Sequence, residues 1–307
     1  MTQERRRGFG PIDPRDLLLL TSLPVLTYKA ARLAMGRRSD AGGDPGERDP
    51  EFVEQVLESV EPMLRWYFRA EVQGGEHIPA EGPALLVANH SGGLQTMESL
   101  VLFREVMRRH GKHRALHGLA HNLLFDDPTF RKYAGRFGAL RAGHENARRA
   151  FERDALVLVY PGSDLDSFRP WRERNRVVFG NRTGFVRLVL ENRVPIVPVV
   201  TVGAHEAFYM LTRGEKIARA LGLKKLMRAE VFPIALSLPW GIAPATLPYI
   251  PLPTKMVTRF GPPIRFDLPA DAARDPAVVT RCYDEVHATM QGMLDDLAAQ
   301  RRWPVLG

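Results

Sequence analysis

The chain has 307 residues, of which 45% are hydrophobic and 25% are charged, a composition typical of a soluble globular protein with a sizeable core. Its formal net charge of +8 and its sequence pI of about 9.9 favour an anionic partner, such as a membrane surface, a phosphorylated ligand or nucleic acid. The single cysteine, Cys282, excludes an internal disulfide and a thiolate metal site.

Residues 1–69 are predicted to form a tail and helices that precede the main domain. The basic stretch 1–15 carries no secretory signal, so we expect a location in the reducing cytosol. The apolar segment 17–27 is too short to span a bilayer and is typical of an interfacial or core helix. A polar linker at 37–50 follows, and the apolar periodicity of 50–67 predicts a second helix.

Between residues 70 and 267, apolar runs of strand length alternate with helical patterns. This alternation predicts an α/β domain with a single, mostly parallel central sheet flanked by helices, and with an N-terminal helical, membrane-proximal segment ahead of it. The predicted strands are 84–88, 115–119, 155–160, 195–202 and one near 256–260. The predicted helices are 98–110, 146–154 and 183–192, and in the C-terminal part, 268–307, a helix over 276–301 that packs on the domain.

Residues 231–254 carry no charge and contain six prolines. So many prolines exclude a spanning helix, and we therefore predict an irregular loop. Such an uncharged loop would suit either a surface that faces lipid or acyl chains, or a segment buried against the core.

The strongest chemical signal follows the strand predicted at 84–88. The apolar run ends in the segment 89–93, Asn-His-Ser-Gly-Gly, and Glu98 stands eight positions after His90. A carboxylate that binds the imidazole Nδ1 would leave Nε2 as a general base. Because neither a Ser nor a Cys nucleophile motif adjoins this pair, we expect the base to act on a hydroxyl of the substrate.

A second polar turn, at 160–171, follows the strand predicted at 155–160. It contains Gly162, Ser163 and Asp164, with Arg169 further along. Turns at the same end of a parallel sheet converge, so we expect this turn to face the His90 turn. Arg141, at the end of the segment 137–142, is a further candidate anion binder at that edge.

Together these segments resemble the blocks of the glycerolipid (lysophospholipid) acyltransferase family, in a variant with a His-Ser-Gly-Gly motif. The blocks occur in the family's order: the 89–91 turn, the block from Gly138 to Arg141, the Tyr-Pro-Gly turn at 160–162 and the strand 194–199. The resemblance covers about residues 72–266 and includes a Gly-Pro-Pro-Ile segment at 261–264. It implies acyl transfer from acyl-CoA or an acyl-carrier protein as co-substrate, with no other cofactor and no metal ion.

Two departures from the family pattern concern the site. Gln95 stands where the family has an aspartate, so the carboxylate role is assigned to Glu98. The turn 161–165 also lacks the family's acceptor-binding Glu and Arg. Either Arg141 or Arg169 replaces that positive charge, or the acceptor is a neutral glyceride or alcohol.

The sequence therefore predicts an O-acyltransferase in which His90 deprotonates the acceptor hydroxyl and Glu98 orients His90. Backbone N–H groups of Ser91, Gly92 and Gly93 are expected to stabilise the oxyanion, and Gly162, Ser163, Asp164, Arg141 and Arg169 to contact substrate. We expect a lysophospholipid acceptor, with mono- or diacylglycerol as the alternative. The protein is expected to bind an anionic membrane peripherally on its cytoplasmic side, not to bind nucleic acid, and to be bacterial.

Three other classes stay open. A serine hydrolase would need a Gly-x-Ser-x-Gly segment, which the sequence lacks. A metalloenzyme would use four regularly spaced histidines, but glycines interrupt them and no His-Glu-x-x-His motif occurs. A non-catalytic lipid-binding protein would explain the charge without a role for His90. The four histidines are His110, His113, His117 and His121.

Overall fold

A seven-stranded sheet forms the centre of the protein in the computed structural model. The structure describes residues 48–307 except 92, 94–95, 122–124, 126–127, 223–230, 246, 248, 304 and 306–307. The helix predicted at 17–27 and most of the linker predicted at 37–50 lie outside the described residues. The predicted division of the chain at 69 and 267 stays a prediction.

The described helices and strands follow one another along the chain in a mostly alternating order. The helices are α1 Pro50–Pro62, α2 Met97–His110, α3 Pro128–Phe137, α4 His144–Phe151, α5 Ser163–Ser167, α6 Gly184–Asn192, α7 Glu215–Ala220 and α8 Pro276–Ala299. The strands are β1 Glu71–Gln73, β2 Ala84–Ala88, β3 Leu116–Ala120, β4 Ala139–Arg141, β5 Leu156–Val159, β6 Ile196–Val202, β7 Tyr209–Thr212, β8 Ile234–Ser237, β9 Gly241–Pro244 and β10 Val257–Phe260. A π-helical turn, Met63–Tyr67, extends α1.

The large sheet has the strand order β1-β10-β6-β2-β5-β3-β4. Every pair in it is parallel except β10 with β6. All residues of β2 and β6 are buried, which explains their unbroken apolar sequences, because a parallel sheet is covered on both faces. The predicted α/β class with a mostly parallel sheet is confirmed.

Two apolar layers cover the sheet. On one face, α6 and α8 pack on β5 and β6, and the long stripe of α8 is buried there. On the other face, α1 and α2 pack on β2 and β10. The buried residues of the α8 stripe are Val279, Cys282, Tyr283, Val286, Met290, Leu294 and Leu297.

The segment 231–254 differs from its prediction. Instead of one irregular loop, it contains β8 and β9, which form a separate antiparallel sheet in the order β7-β8-β9. The five described prolines of this segment stand at strand ends and in the connections, where a missing N–H group costs no ladder bond. Among the residues that the structure describes, none of the helices combines the length and the apolarity needed to cross a bilayer.

Candidate active site

His90 and Glu98 meet across the turn between β2 and α2. The His90 Nδ1 atom lies 2.8 Å from the Glu98 Oε1 atom, and only 1% of the Glu98 side chain is exposed. A carboxylate can only accept, so Nδ1 donates and the neutral imidazole keeps Nε2 as its acceptor. This is the tautomer that a general base requires.

The turn is tied to the sheet by Asn89, whose side chain continues the pairing of β2 with β6. The Asn89 amide oxygen accepts from the main-chain N–H of Thr201 at 2.8 Å, and its NH₂ group donates to the Thr201 carbonyl at 3.1 Å. Sequence reasoning gave Asn89 no role, although it stands in the motif. Its side chain takes the place of the next main-chain hydrogen bonds between β2 and β6, and it thereby fixes the backbone position of His90.

A buried ion pair holds the main chain of His90. One oxygen of Asp166 accepts from the His90 N–H, and the other accepts from Arg169 and from the Val178 N–H. Arg169 in turn donates to the His90 carbonyl at 2.8 Å. Burial raises the pKa of the Asp166 carboxyl, and the charge of Arg169 opposes that rise. The two predicted turns therefore meet, and Asp166 is a contact that the predicted site set had missed.

Arg169 is engaged inside the protein, and its expected contact with substrate stays a prediction. Its side chain is fully buried, and its guanidinium nitrogens donate to Asp166, to the Ser91 hydroxyl and to main-chain carbonyls. Each guanidinium nitrogen already has an acceptor inside the protein, so in this structure Arg169 presents no free donor fork.

Tyr160 packs against the ring of His90. The two ring centroids are 4.6 Å apart with an interplanar angle of 26°, and the Tyr160 hydroxyl lies 2.7 Å from the Ser99 hydroxyl. Burial, together with the negative charge of Glu98, raises the pKa of Tyr160 well above its usual value. The phenol therefore stays protonated. Because its ring is stacked on the imidazole, it also restricts rotation of the His90 ring.

The expected oxyanion donors lie in the segment 91–93. The Ser91 N–H donates to Glu98 Oε1 at 3.0 Å, and Ser91 is fully buried, so the structure lends no support to an oxyanion role for this N–H, which stays a prediction. Gly92 lies outside the described residues. Gly93 has a φ of +71°, and a Cβ there would be 2.6 Å from the Phe208 ring, so only glycine fits. The role of its N–H stays a prediction.

The turn after β5 is closely packed at its start and exposed further along. A Cβ on Gly162 would lie 2.1 Å from the Val178 carbonyl oxygen, so this position has no room for a side chain. Ser163 has a left-handed φ of 46°. Asp164 is half exposed and pairs with Arg182 at 2.8 Å. The expected contacts of these residues with substrate stay predictions.

Arg141 ends β4 at the same edge of the sheet as His90. Strands β5 and β3 lie between β4 and β2, so Arg141 is removed from the imidazole by the width of two strands. Its guanidinium carbon lies 5.1 Å from the centre of the Phe125 ring, and the residue is largely buried. An acceptor that reached both residues would have to extend along the sheet edge.

Of the four regularly spaced histidines, two support the fold. His110 Nε2 lies 3.1 Å from the Ile78 carbonyl oxygen, and His117 Nδ1 lies 3.1 Å from the Gly138 carbonyl oxygen. Within the described part of the chain, no group of three His, Cys, Asp or Glu residues could hold a metal ion.

Residues 69–202 match the model of a protein family described as Acyltransferase, and they include both turns of the site. An uncharacterized protein of Mycobacterium tuberculosis is 35% identical over 310 residues, covering 97% of this chain and 82% of that protein. A Bos taurus protein named DGAT1/2-independent enzyme synthesizing storage lipids is 27% identical over 201 residues, covering 64% of this chain and 52% of that protein.

Among solved structures, the 1-acyl-sn-glycerophosphate (LPA) acyltransferase PlsC of Thermotoga maritima aligns with a TM-score of 0.50. The alignment covers 94% of this chain and 98% of that chain, at 13% sequence identity. At this identity, the likeness shows a shared α/β fold.

Proposed function

This chain belongs to the acyltransferase family, and we propose that it transfers a fatty acyl group from a thioester donor to the hydroxyl of a glycerolipid. The donor is acyl-CoA or an acyl-carrier protein. The contact between His90 Nδ1 and the buried Glu98 carboxylate carries the proposal, because it leaves Nε2 as a base beside a glycine turn.

The proposed reaction needs no covalent acyl-enzyme. His90 Nε2 takes the proton of the acceptor hydroxyl while that oxygen attacks the thioester carbonyl carbon. The carbon–sulfur bond then breaks, and the imidazolium returns the proton to the leaving thiolate. Glu98 holds the ring and stabilises the imidazolium between the two proton transfers.

We favour a neutral mono- or diacylglycerol as the acceptor over the lysophospholipid that the sequence favoured. Arg169 is engaged inside the protein, and Leu165 stands where the family has an arginine, so neither position offers a side-chain donor to a phosphate group. The name of the Bos taurus relative, which refers to storage lipids, supports the same choice. A lysophospholipid acceptor would depend on Arg141.

We also propose that the reaction takes place at a membrane surface. The net charge of +8 supports peripheral binding to an anionic membrane, which we place on the cytoplasmic side. Salt should weaken that binding, because it screens charge attraction.

The test compares His90→Ala with His113→Ala, which changes an exposed histidine outside the site. With one acyl-CoA and either acceptor, His90→Ala should lose about 10²–10⁴-fold in rate, and His113→Ala should keep the wild-type rate. Wild-type activity of the His90→Ala protein would refute the mechanism.

The same assay, run side by side on diacylglycerol and lysophosphatidic acid, tests the acceptor. We expect diacylglycerol to be preferred, with a KM that Arg141→Ala does not change. Preference for lysophosphatidic acid, with a KM raised by Arg141→Ala but not by the surface control Arg149→Ala, would contradict the choice of a neutral acceptor.

A further inference from the structure

The large apolar side chains of strands β8 and β9 face solvent rather than the core. Leu236 and Leu238 of the β8 region and Ile242 of β9 are 46%, 51% and 72% exposed. The small residues that alternate with them, such as Ala235 and Ala243, are buried. In a one-sided sheet, the large apolar side chains normally face the core, so here the alternation is reversed.

These exposed side chains form one continuous surface. Leu236 pairs directly with Ile242 across the strands, and Leu238 forms a bridge with Ile250. Trp240 stands in the turn between the two strands and is 52% exposed. We call this surface the apolar face, and it consists of Leu236, Leu238, Trp240, Ile242 and Ile250.

The other side of the small sheet covers the candidate active site. Phe208 and Tyr249 stack with their centroids 4.1 Å apart in the layer beneath the sheet. Both lie against the position of Gly93, because a Cβ there would be 2.6 Å from the Phe208 ring and 3.1 Å from the Tyr249 hydroxyl. Only one layer of side chains therefore separates the sheet that bears the apolar face from the His90 turn.

Aromatic and basic residues lie beside the 250–255 end of this surface. The Tyr67 hydroxyl donates to the Pro251 carbonyl at 2.7 Å, and Arg69 donates to the carbonyls of Pro253 and Val305. Two exposed tryptophans stand next to these contacts in the chain, Trp66 directly before Tyr67 and Trp303 two positions before Val305.

An arginine guanidinium lies over the ring of each of these tryptophans. The Arg65 guanidinium lies 4.9 Å from the Trp66 ring centre, and that of Arg302 lies 5.9 Å from the Trp303 ring centre. Amphipathic aromatic side chains and arginines with apolar stems are typical of the boundary between lipid and water. An uncharged face with a cationic, aromatic border complements a bilayer that contains anionic headgroups.

We propose that the apolar face docks this protein on an anionic bilayer surface, with Trp66 and Trp303 and their arginines at its border. Acceptor and product glycerolipids then exchange between the bilayer and the site beside the small sheet without crossing water. This second statement rests on the proposed acyl transfer, whereas the docking itself does not.

The test measures flotation of the purified protein with vesicles of phosphatidylcholine, with and without phosphatidylglycerol. The double variant Leu236→Gln/Ile242→Gln should bind about tenfold or more weakly to both kinds of vesicle, because it removes apolar area that leaves water on docking. The matched variant Leu236→Met/Ile242→Val keeps the surface apolar and should bind like the wild type. Arg65→Gln/Arg302→Gln should weaken only the binding to vesicles that contain phosphatidylglycerol.

A second measurement separates docking from catalysis. On a short-chain, water-soluble acceptor, Leu236→Gln/Ile242→Gln should keep the wild-type rate, and on acceptor presented in vesicles it should lose rate in parallel with binding. Unchanged flotation of this variant would overturn the docking surface and leave the proposed reaction standing. Inactivity of the wild type on every acceptor, with normal flotation, would refute the reaction and not the docking.

Size-exclusion chromatography without vesicles tests the other occupant of such a surface. If the wild type is a dimer and the double glutamine variant is a monomer, the apolar face binds a second copy of the chain, and the proposal is wrong. A monomeric wild type supports the bilayer as the occupant.

Discussion

The imidazole of His90 is restrained by contacts of three different kinds. Asp166 and Arg169 bind its main-chain N–H and carbonyl, Glu98 binds Nδ1, and the ring of Tyr160 covers one face. Each contact removes a different freedom, namely the path of the backbone, the tautomer and the rotation of the ring. A base that is oriented before the substrate arrives loses little entropy during the reaction.

Glu98→Gln tests the carboxylate at this scale. The amide oxygen can still accept from Nδ1, but the charge that stabilises the imidazolium is lost, so kcat should fall by about 10- to 100-fold with little change in KM. The substitution Glu58→Gln, at an exposed position of α1, controls for the loss of one negative charge. If Glu98→Gln keeps the wild-type kcat while Asp164→Asn loses it, the carboxylate has been assigned wrongly.

Gly162→Ala tests the packing of the turn after β5. A Cβ there would lie 2.1 Å from the Val178 carbonyl oxygen and 2.4 Å from Asp166 Cβ. The backbone must shift, so the free energy of unfolding should fall by about 1–3 kcal/mol, and the rate should fall because the shift reaches Asp166. Denaturant unfolding measures the first effect. Gly292→Ala in α8, where a Cβ meets nothing within 4 Å, should instead be stabilising by about 0.5–1 kcal/mol.

At the scale of elements, the strength of the local pattern decided what the sequence could predict. The buried strands β2, β5 and β6 and the helices α2, α6 and α8 lie within a few residues of their predicted bounds, because each has a long apolar run or stripe. Strands β1 and β4 have three residues each and exist through pairing with distant partners, which no local pattern reports. Strands β8 and β9 were missed because each has only four residues and their segment contains many prolines, which is typical of a loop.

Strand β3 contains a histidine that should make stability depend on pH. Burial lowers the pKa of His117 from 6.5 to about 4, although its contact with the Gly138 carbonyl opposes this. Between those pH values, the unfolded chain binds a proton that the folded protein does not, so the free energy of unfolding falls as the pH falls. At about 1.4 kcal/mol per pKa unit, the loss amounts to about 3 kcal/mol.

Denaturant unfolding of the wild type and of His117→Gln at several pH values measures this effect. The variant should lose less stability than the wild type between pH 6.5 and 4. The same comparison at about pH 8, where both states hold a neutral histidine, gives the cost of the substitution itself. Parallel curves for the two proteins would contradict the assignment.

At the scale of the whole molecule, α8 closes the face of the sheet that α6 begins to cover. Seven of its side chains are buried against strands and helices from earlier in the chain. At about 1.5–3 kcal/mol for each large apolar side chain, their removal costs about 10–20 kcal/mol, which is comparable with or greater than the usual total stability of about 5–15 kcal/mol. A chain that ends at residue 275 should therefore not fold, as judged by circular dichroism, whereas one that ends at 302 should. A cooperative unfolding transition in the shorter chain would contradict this.

The sequence predicted the motifs of the candidate site, but not the residues that hold those motifs in place. His90 and Glu98 stand in a turn that the sequence marks by itself, and the structure brings them together. Asn89, Asp166 and Tyr160 act through contacts 61 to 112 positions away in the chain, whose geometry depends on the order of the strands. The internal contacts of Arg169 were not predicted either, because an arginine near a polar turn has the same sequence pattern whether it binds substrate or the protein's own main chain.

The antiparallel strand β10 also sets an order of events during synthesis. Within the described sheet, β1 pairs with β10 alone, and Gln73 contacts Arg259 across 186 positions. At about 5–20 residues per second, a ribosome needs roughly 10 to 40 seconds to make that stretch. Until then, β6 has an unpaired edge that can capture strands of other chains. Because the face that α8 covers also stays open until residue 299 has been made, the nascent protein is exposed to aggregation, and in need of a chaperone, beyond the synthesis of β10.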